Sequence, residues 1–255
     1  MKIGAMNHPV KNAIEEIDWI AANGFDFVDF TFEPPSAEKM EIAKIKRKLY
    51  ENNLGVVGHT NPTLPAIYPV RAIREVCLLE LRKSADFFAL LGAKKMTFHP
   101  FYYGSHQTQE ERIESNIIVL KEMVAYCQEI GIKAMIENYI APFDRPETIS
   151  KILDQVPNLY VHLDIGHCNL GDEPEKTVEI FFKTFKEKVL HLHVHDNNGD
   201  EDEHLPLGCG EIDWGKMIGI AKKFKYDSTI TLEVFCTDKD FLLISKKKIL
   251  KLWNK

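Results

Sequence analysis

Eight times along the 255 residues a short apolar stretch is followed by a helical pattern, at intervals of roughly 25 to 40 residues. A chain built this way has few folds open to it, because strands separated by helices must pair in parallel. The strands read as Lys2 to Met6, Phe27 to Phe30, Gly55 to Gly58, Lys94 to Phe98, Lys133 to Ile136, Leu159 to Leu163, Val189 to Val194 and Thr229 to Leu232. Between and after them come helical patterns: Val10 to Asn23, one capped by Ser36 and running to about Asn53, and a long one ending at Leu91. Gln109 to Ile130, Pro146 to about Gln155, Pro174 to about Phe185, Asp213 through Lys225 and Phe241 to Trp253 complete the set. Breaks at Glu33-Pro34-Pro35 and Gly104-Ser105 fall between elements. The competing architecture is an open doubly wound sheet. No G-x-G-x-x-G stretch follows the first strand, and polar donors occur at six strand ends instead of one crevice. A single-domain (β/α)8 TIM barrel spanning residues 1–255 is the expectation.

Composition narrows the setting. With 45% hydrophobic and 27% charged residues the chain buries a core without staples. Cys77, Cys127, Cys168, Cys209 and Cys236 are scattered and form no C-x-x-C pair, so they read as reduced thiols, with Cys168 and Cys209 as packing residues. The start MKIGAMN enters a strand with no leader, no apolar run is long enough for a bilayer, and a cytoplasmic location is expected. A net charge of −6 offers no general attraction to nucleic acid, and the Lys-rich clusters fall on outward helix faces. Assembly into a homo-oligomer is left open.

The stretch VLHLHVHDNNGDEDEHLPLGCG, Val189 to Gly210, concentrates the chemistry. His191, His193 and His195 share one face of a strand, and Asp202 and His204 follow just past a turn. In a parallel barrel every strand opens its carboxyl end on the same face. Collected on that basis, His59, His99, Glu137, Asp164, His167, His193, Asp202, His204 and Glu233 form a rim of nine metal-capable side chains. Each has a plainer reading: Asp164 as a helix cap, Glu137 as a lysine partner, His59 as a loop residue bonded to backbone. Four carboxylates crowded together without cations would repel one another, so bound divalent ions are the simplest account. Imidazoles favour zinc, manganese or cobalt over magnesium or calcium. Glu137, Asp164, His193 and Glu233 come from successive strands and suit one ion. His59, His99, Asp202 and His204, with His167, leave room for one or two more, making one to three per chain. Asn138, His8, Tyr102 and Tyr103 are the expected substrate contacts.

The stretches IENY at Glu137, LDIGH from Leu163, HLHVHDN around His193, DEHLPLGCGEIDW from Asp202 and TLEV at Glu233 carry a resemblance over essentially the whole chain. The chain resembles the xylose isomerase-like barrel superfamily, which includes sugar epimerases, hydroxypyruvate and inosose-type enzymes, and apurinic endonucleases of the endonuclease IV type. In the epimerase branch the resemblance implies one divalent ion on Glu137, Asp164, His193 and Glu233. The catalytic residues would be Glu137 and Glu233, which move the substrate proton, and His167, which orients a substrate hydroxyl. In the endonuclease branch it implies a three-zinc cluster on all nine donors. The donor count leans toward the endonuclease. The short loops after the first two strands and the acidic run Asp200 to Glu203 lean away from it, since DNA lesion recognition needs a basic, wedge-bearing rim. The favoured expectation is a metal-dependent isomerase or epimerase of a small sugar or sugar phosphate; the alternative is a zinc phosphodiesterase acting on abasic DNA. A barrel that binds without turnover ranks last.

Overall fold

A computed structural model describes residues 1–33, 37–103 and 107–254. Its strands are β1 (Lys2–Met6), β2 (Phe27–Phe32), β3 (Gly55–Thr60), β4 (Lys95–Phe98), β5 (Lys133–Glu137), β6 (Tyr160–Asp164), β7 (Val189–Val194) and β8 (Thr229–Leu232). They pair in parallel and in sequence order, and β8 closes back onto β1. Around them run α1 (Ala13–Ala22), α2 (Ile42–Glu51), α3 (Arg71–Leu91), α4 (Gln109–Glu129), α5 (Pro146–Gln155), the short α6 (Ile165–Cys168), α7 (Pro174–Phe185), α8 (Trp214–Lys223) and α9 (Asp240–Trp253). The (β/α)8 barrel expected from the alternation is the fold. Among the described residues no helix is long and apolar enough to cross a membrane.

Strand parity explains why the barrel carries a site. On β2, Val28 and Phe30 join the apolar shell between sheet and helices. Asp29 and Thr31, of the opposite parity, are buried polar residues that turn inward. A separate apolar cluster of Phe27, Val57 and Met135 fills part of the interior. Gly4 makes room for it, since a Cβ there would lie 2.3 Å from the Phe27 ring. A barrel interior is commonly filled by branched aliphatic side chains. Here Asp29, Thr97, His162, His191 and Thr231 are buried there instead, and hydrogen bonds replace part of the apolar packing.

Several strands run further than their apolar residues suggested. β2 extends to Phe32 and β3 to Thr60, which puts His59 inside a strand, paired with Thr31. Polar side chains that look like strand ends in sequence remain in the ladder because the barrel interior gives them partners. The α1 helix starts at Ala13, capped by Asn12 Oδ1, which accepts from the Ile14 and Glu15 amides. A 3-10 turn at Ala37–Lys39 precedes α2. The expected Ser36 cap and the Pro34-Pro35 and Gly104-Ser105 breaks lie outside the described residues.

Lys95 enters the interior and donates to Leu190 O (2.6 Å), Ser228 Oγ (3.1 Å) and Thr229 Oγ1 (2.5 Å). Burial pushes its ammonium down to about 8, against a weaker opposing pull from Asp29. A lysine depressed in the folded chain binds fewer protons than in the unfolded chain between pH 8 and 10.5, so its charge penalty is present below that window and relieved above it. The stability of wild type relative to Lys95→Met is therefore expected to rise by about 2 kcal/mol from pH 8 to above 10. Urea unfolding of both proteins across that range measures the difference; a flat difference would refute the assignment.

Candidate functional site

The strand ends bring the nine predicted donors to one mouth. His59 Nε2 lies 3.0 Å from His99 Nε2, which lies 3.3 Å from Glu137 Oε2. His167 Nδ1 is 3.4 Å from Glu137 Oε1 and 3.6 Å from Asp164 Oδ2. His193 Nδ1 is 2.7 Å from Glu233 Oε2 and 3.9 Å from Asp164 Oδ2. Asp202 contributes Oδ2 at 3.2 Å from His167 Nε2 and Oδ1 at 3.4 Å from His204 Nδ1, and His204 Nε2 is 3.5 Å from Glu233 Oε2.

Local structure holds these groups in place. Asp164 is both cap and site residue: Oδ1 accepts from the His167 amide at the start of α6, while the buried Oδ2 has no hydrogen-bond partner. Asn138, expected to meet substrate, clamps β5 to β6 instead. Its Oδ1 accepts from the Asp164 amide at 2.7 Å, and its Nδ2 donates to Asp164 O at 2.9 Å. Its carbonyl lies 2.8 Å from His167 Nδ1. The loop that carries Asp202 and His204 is tied down by buried Asp196, which accepts from the Asn197, Gly208 and Ile212 amides and from Trp214 Nε1. His204 itself sits at φ +51°, a left-handed conformation that an unsupported histidine would leave.

Three inward residues of this region escaped the sequence-derived rim. Asp29 stands behind His193: its Oδ2 accepts from His193 Nε2 (2.7 Å), His191 Nε2 (2.9 Å) and Thr231 Oγ1 (2.8 Å). This leaves His193 Nδ1 to face the mouth. His162 lies beneath Glu137, Nδ1 to Oε2 3.5 Å, and His195 lies beneath Asp164 and Asp202. A carboxylate amid aromatics in FVDFTF, and the parity that His195 shares with His193, were the available signals. Tyr139, from IENY, sits against both His99 and His167, with ring centroids 5.6 and 5.1 Å away.

Charge is unevenly compensated. Burial raises the Glu137 pKa well above the usual carboxylate range, and nearby His193 and His167 offset only part of this. Glu233 moves the opposite way: burial is outweighed by His193 and His204, which hold it ionised. Burial would lower the His167 pKa, yet Asp164, Asp202 and Glu137 push it up to about 10. The same contest, won by Glu233 and Asp202, puts His204 at about 9. Protonated imidazoles thus supply the positive charge that the carboxylates require. Buried Asp164 Oδ2 and Glu137 Oε2 nonetheless lack hydrogen-bond partners, as do His59 Nδ1 and His99 Nδ1. Donor triplets such as His59, His99 and Glu137 have ligand atoms within 4.8 Å of one another. Orphaned buried acceptors within ligand spacing of imidazoles suit a divalent ion.

Above the donors opens a cavity of about 380 Å³ lined by His8, Glu33, Tyr139, Phe235, Glu137 and Glu233 among others. His8 is thus at the mouth as expected. The Arg112 guanidinium lies over the Tyr102 ring and Tyr103 meets Tyr68 edge to face, and neither tyrosine lines this cavity. Cys168 is buried, but Cys209 is exposed and so is not the packing residue expected from its setting. Gly166 has a stricter role, since a Cβ there would fall 2.1 Å from the His195 ring. Gly166→Ala is expected to cost about 1–3 kcal/mol by overpacking. Thermal unfolding measures it, and an unchanged melting temperature would contradict the close approach.

Residues 17–251 match the family described as "Xylose isomerase-like TIM barrel". Uncharacterized protein MJ1614 of Methanocaldococcus jannaschii is 31% identical over 184 residues, covering 70% of each chain. A solved D-tagatose 3-epimerase-like protein superposes with a TM-score of 0.86 at 24% identity, over 100% of this chain and 98% of that one. D-psicose 3-epimerase from Clostridium cellulolyticum H10 superposes at 0.81 with 16% identity, over 100% and 98%. The two solved structures share the architecture, and the family match spans nearly all of the barrel and its rim. The chain belongs to the xylose isomerase-like TIM barrel family.

Proposed function

We propose that the protein is a divalent-metal-dependent isomerase or epimerase of a small carbohydrate, acting by proton transfer next to a carbonyl. The observation that carries this reading is the placement of Glu137 and Glu233. They stand on strand ends three positions apart around the barrel and both line the same cavity. Inverting a carbon next to a carbonyl requires a base on one face of the substrate and an acid on the other. Glu233 and Glu137, which reach the cavity from different strands, are the groups suited to accept the proton and to return it. His167, fixed through Nδ1 by the Asn138 carbonyl, presents Nε2 and Asp202 toward a substrate hydroxyl. Tyr139 and Phe235 wall the cavity and limit water around the reacting carbon. Glu137, Asp164, His193 and Glu233 would hold an ion, zinc, manganese or cobalt by their donor types, and it would polarise the substrate carbonyl and offset the charge developing on its oxygens.

The solved relatives include a D-tagatose 3-epimerase-like protein and a D-psicose 3-epimerase with D-tagatose, so D-tagatose and D-psicose are the first substrates to test. In deuterated water the metal-loaded protein is expected to exchange the hydrogen next to the carbonyl of one such sugar or its phosphate. Failure with a panel of ketoses, ketose phosphates and sugar acids would sink the reading. A second reading, zinc-dependent hydrolysis of a phosphodiester, draws on the pairing of His59 with His99 at 3.0 Å, which a single ion does not use. Incision of an abasic-site duplex by the zinc-loaded protein would support it. The exposed acidic residues Asp200, Glu201 and Glu203 beside the mouth oppose DNA binding.

A further inference from the structure

A second cavity, of about 360 Å³, opens beside the first at the carboxyl ends of β1 and β8. Met6, His8 and Phe235 line both, so a molecule in the catalytic cavity borders the second one directly. Two lysines reach this space, Lys11 after β1 and Lys239 after β8, against the one carboxylate of Glu16 on α1. Glu16 is buried and already compensated. Its Oε1 accepts from Lys239 Nζ at 2.8 Å and its Oε2 from the His8 amide at 3.4 Å, so it ties both loops to α1. Trp19 backs the lysine, with Nζ 4.4 Å from the ring centroid.

With Glu16 committed to Lys239, Lys11 is the charge in excess. Among the described residues its ammonium has no carboxylate partner, and the hydroxyl of Thr237, on the same cavity wall, has no partner either. The Val10 amide donates to His8 Nδ1 at 3.4 Å, which leaves the ring proton on Nε2. An ammonium, an imidazole N–H and a hydroxyl thus stand as donors without acceptors in a chain whose net charge is −6. The rim after β7 is the reverse, with Asp200, Glu201 and Glu203 exposed. An anionic group is drawn to the β1 and β8 side and repelled from the other. We propose that the second cavity holds a phosphate group, and that the substrate is a ketose phosphate whose carbonyl end lies between Glu137 and Glu233 while its phosphate meets Lys11, His8 and Thr237. A phosphate monoester carries close to two negative charges and three acceptor oxygens at neutral pH, which suits three donors around one excess cation. The inference rests on the isomerase reading above and names its substrate class.

The test compares a ketohexose, its 6-phosphate and a keto sugar acid of equal length as substrates for hydrogen exchange in deuterated water by the metal-loaded protein. The 6-phosphate is expected to exceed the free ketose by about 10- to 10²-fold in kcat/KM, mostly through KM, the range of one hydrogen bond to a charged group. Lys11→Met is expected to close most of that gap and Lys11→Arg to restore it. Inorganic phosphate is expected to inhibit exchange of the free ketose competitively, and about 10-fold more weakly in Lys11→Met. Equal kcat/KM for ketose and 6-phosphate, or a preference that Lys11→Met leaves intact, would overturn the proposal. A keto acid preferred over the 6-phosphate would overturn it in favour of a carboxylate. Exchange with none of the three would instead overturn the isomerase reading on which the proposal rests.

Discussion

Glu137→Gln is expected to slow exchange of the substrate hydrogen by about 10²- to 10⁴-fold, the range associated with loss of a positioned acid or base. Glutamine matches the carboxyl in size and retains one oxygen, so packing against His162 and His99 survives while the transferable proton does not. His167 Nδ1, 3.4 Å from Oε1, can still meet the amide oxygen, while the amide nitrogen takes the Oε2 position 3.3 Å from His99 Nε2. The loss should thus appear in kcat with the fold intact, as circular dichroism and the melting temperature would show. Full exchange by this variant would end the assignment of Glu137 as a proton-transfer group.

Asp196→Ala should produce the largest loss of stability. The Asp196 side chain is fully buried and satisfies three backbone amides and the Trp214 indole, and its own backbone bridges to Leu205. Removing a buried charged acceptor leaves its donors unpaired, at roughly 3–5 kcal/mol. Gly210 shows how tightly the loop is wrapped, since a Cβ there would fall 2.6 Å from Asp196 Oδ1. Because this wrapping sets where Asp202 and His204 stand, the variant should also disturb the mouth while retaining the barrel. Denaturant unfolding measures the loss; a value below about 1 kcal/mol would show that the loop is held by other contacts.

Much of this was legible in the chain. The recurrence of strand and helix specified the barrel, because parallel strands joined by helices admit few closures, and α5, α7 and β8 fell on the expected residues. The rim could be collected without coordinates for the same reason, since all strand ends of a parallel barrel face one way. The interior was less legible. Asp29 lies 164 positions from His193 in sequence and 2.7 Å away in space, and a one-dimensional pattern cannot state which strand supplies the partner across a barrel.

The roles of individual polar residues were likewise decided by tertiary structure. Asn138 looked like a substrate contact because it follows Glu137, but its amide is consumed by the Asp164 backbone. Tyr102 and Tyr103 follow a strand end yet turn to Arg112 and Tyr68. His195 shares the parity of His193, and only packing against Gly166 and His204 sets it among the donors. Sequence alone determined the barrel and the face on which donors gather, because periodicity and strand direction are properties of the local chain. Which donors pair, which are held from behind and which are left without partners was decided by closure of the sheet, since hydrogen bonds and ion spacings act only between atoms already brought within a few ångströms.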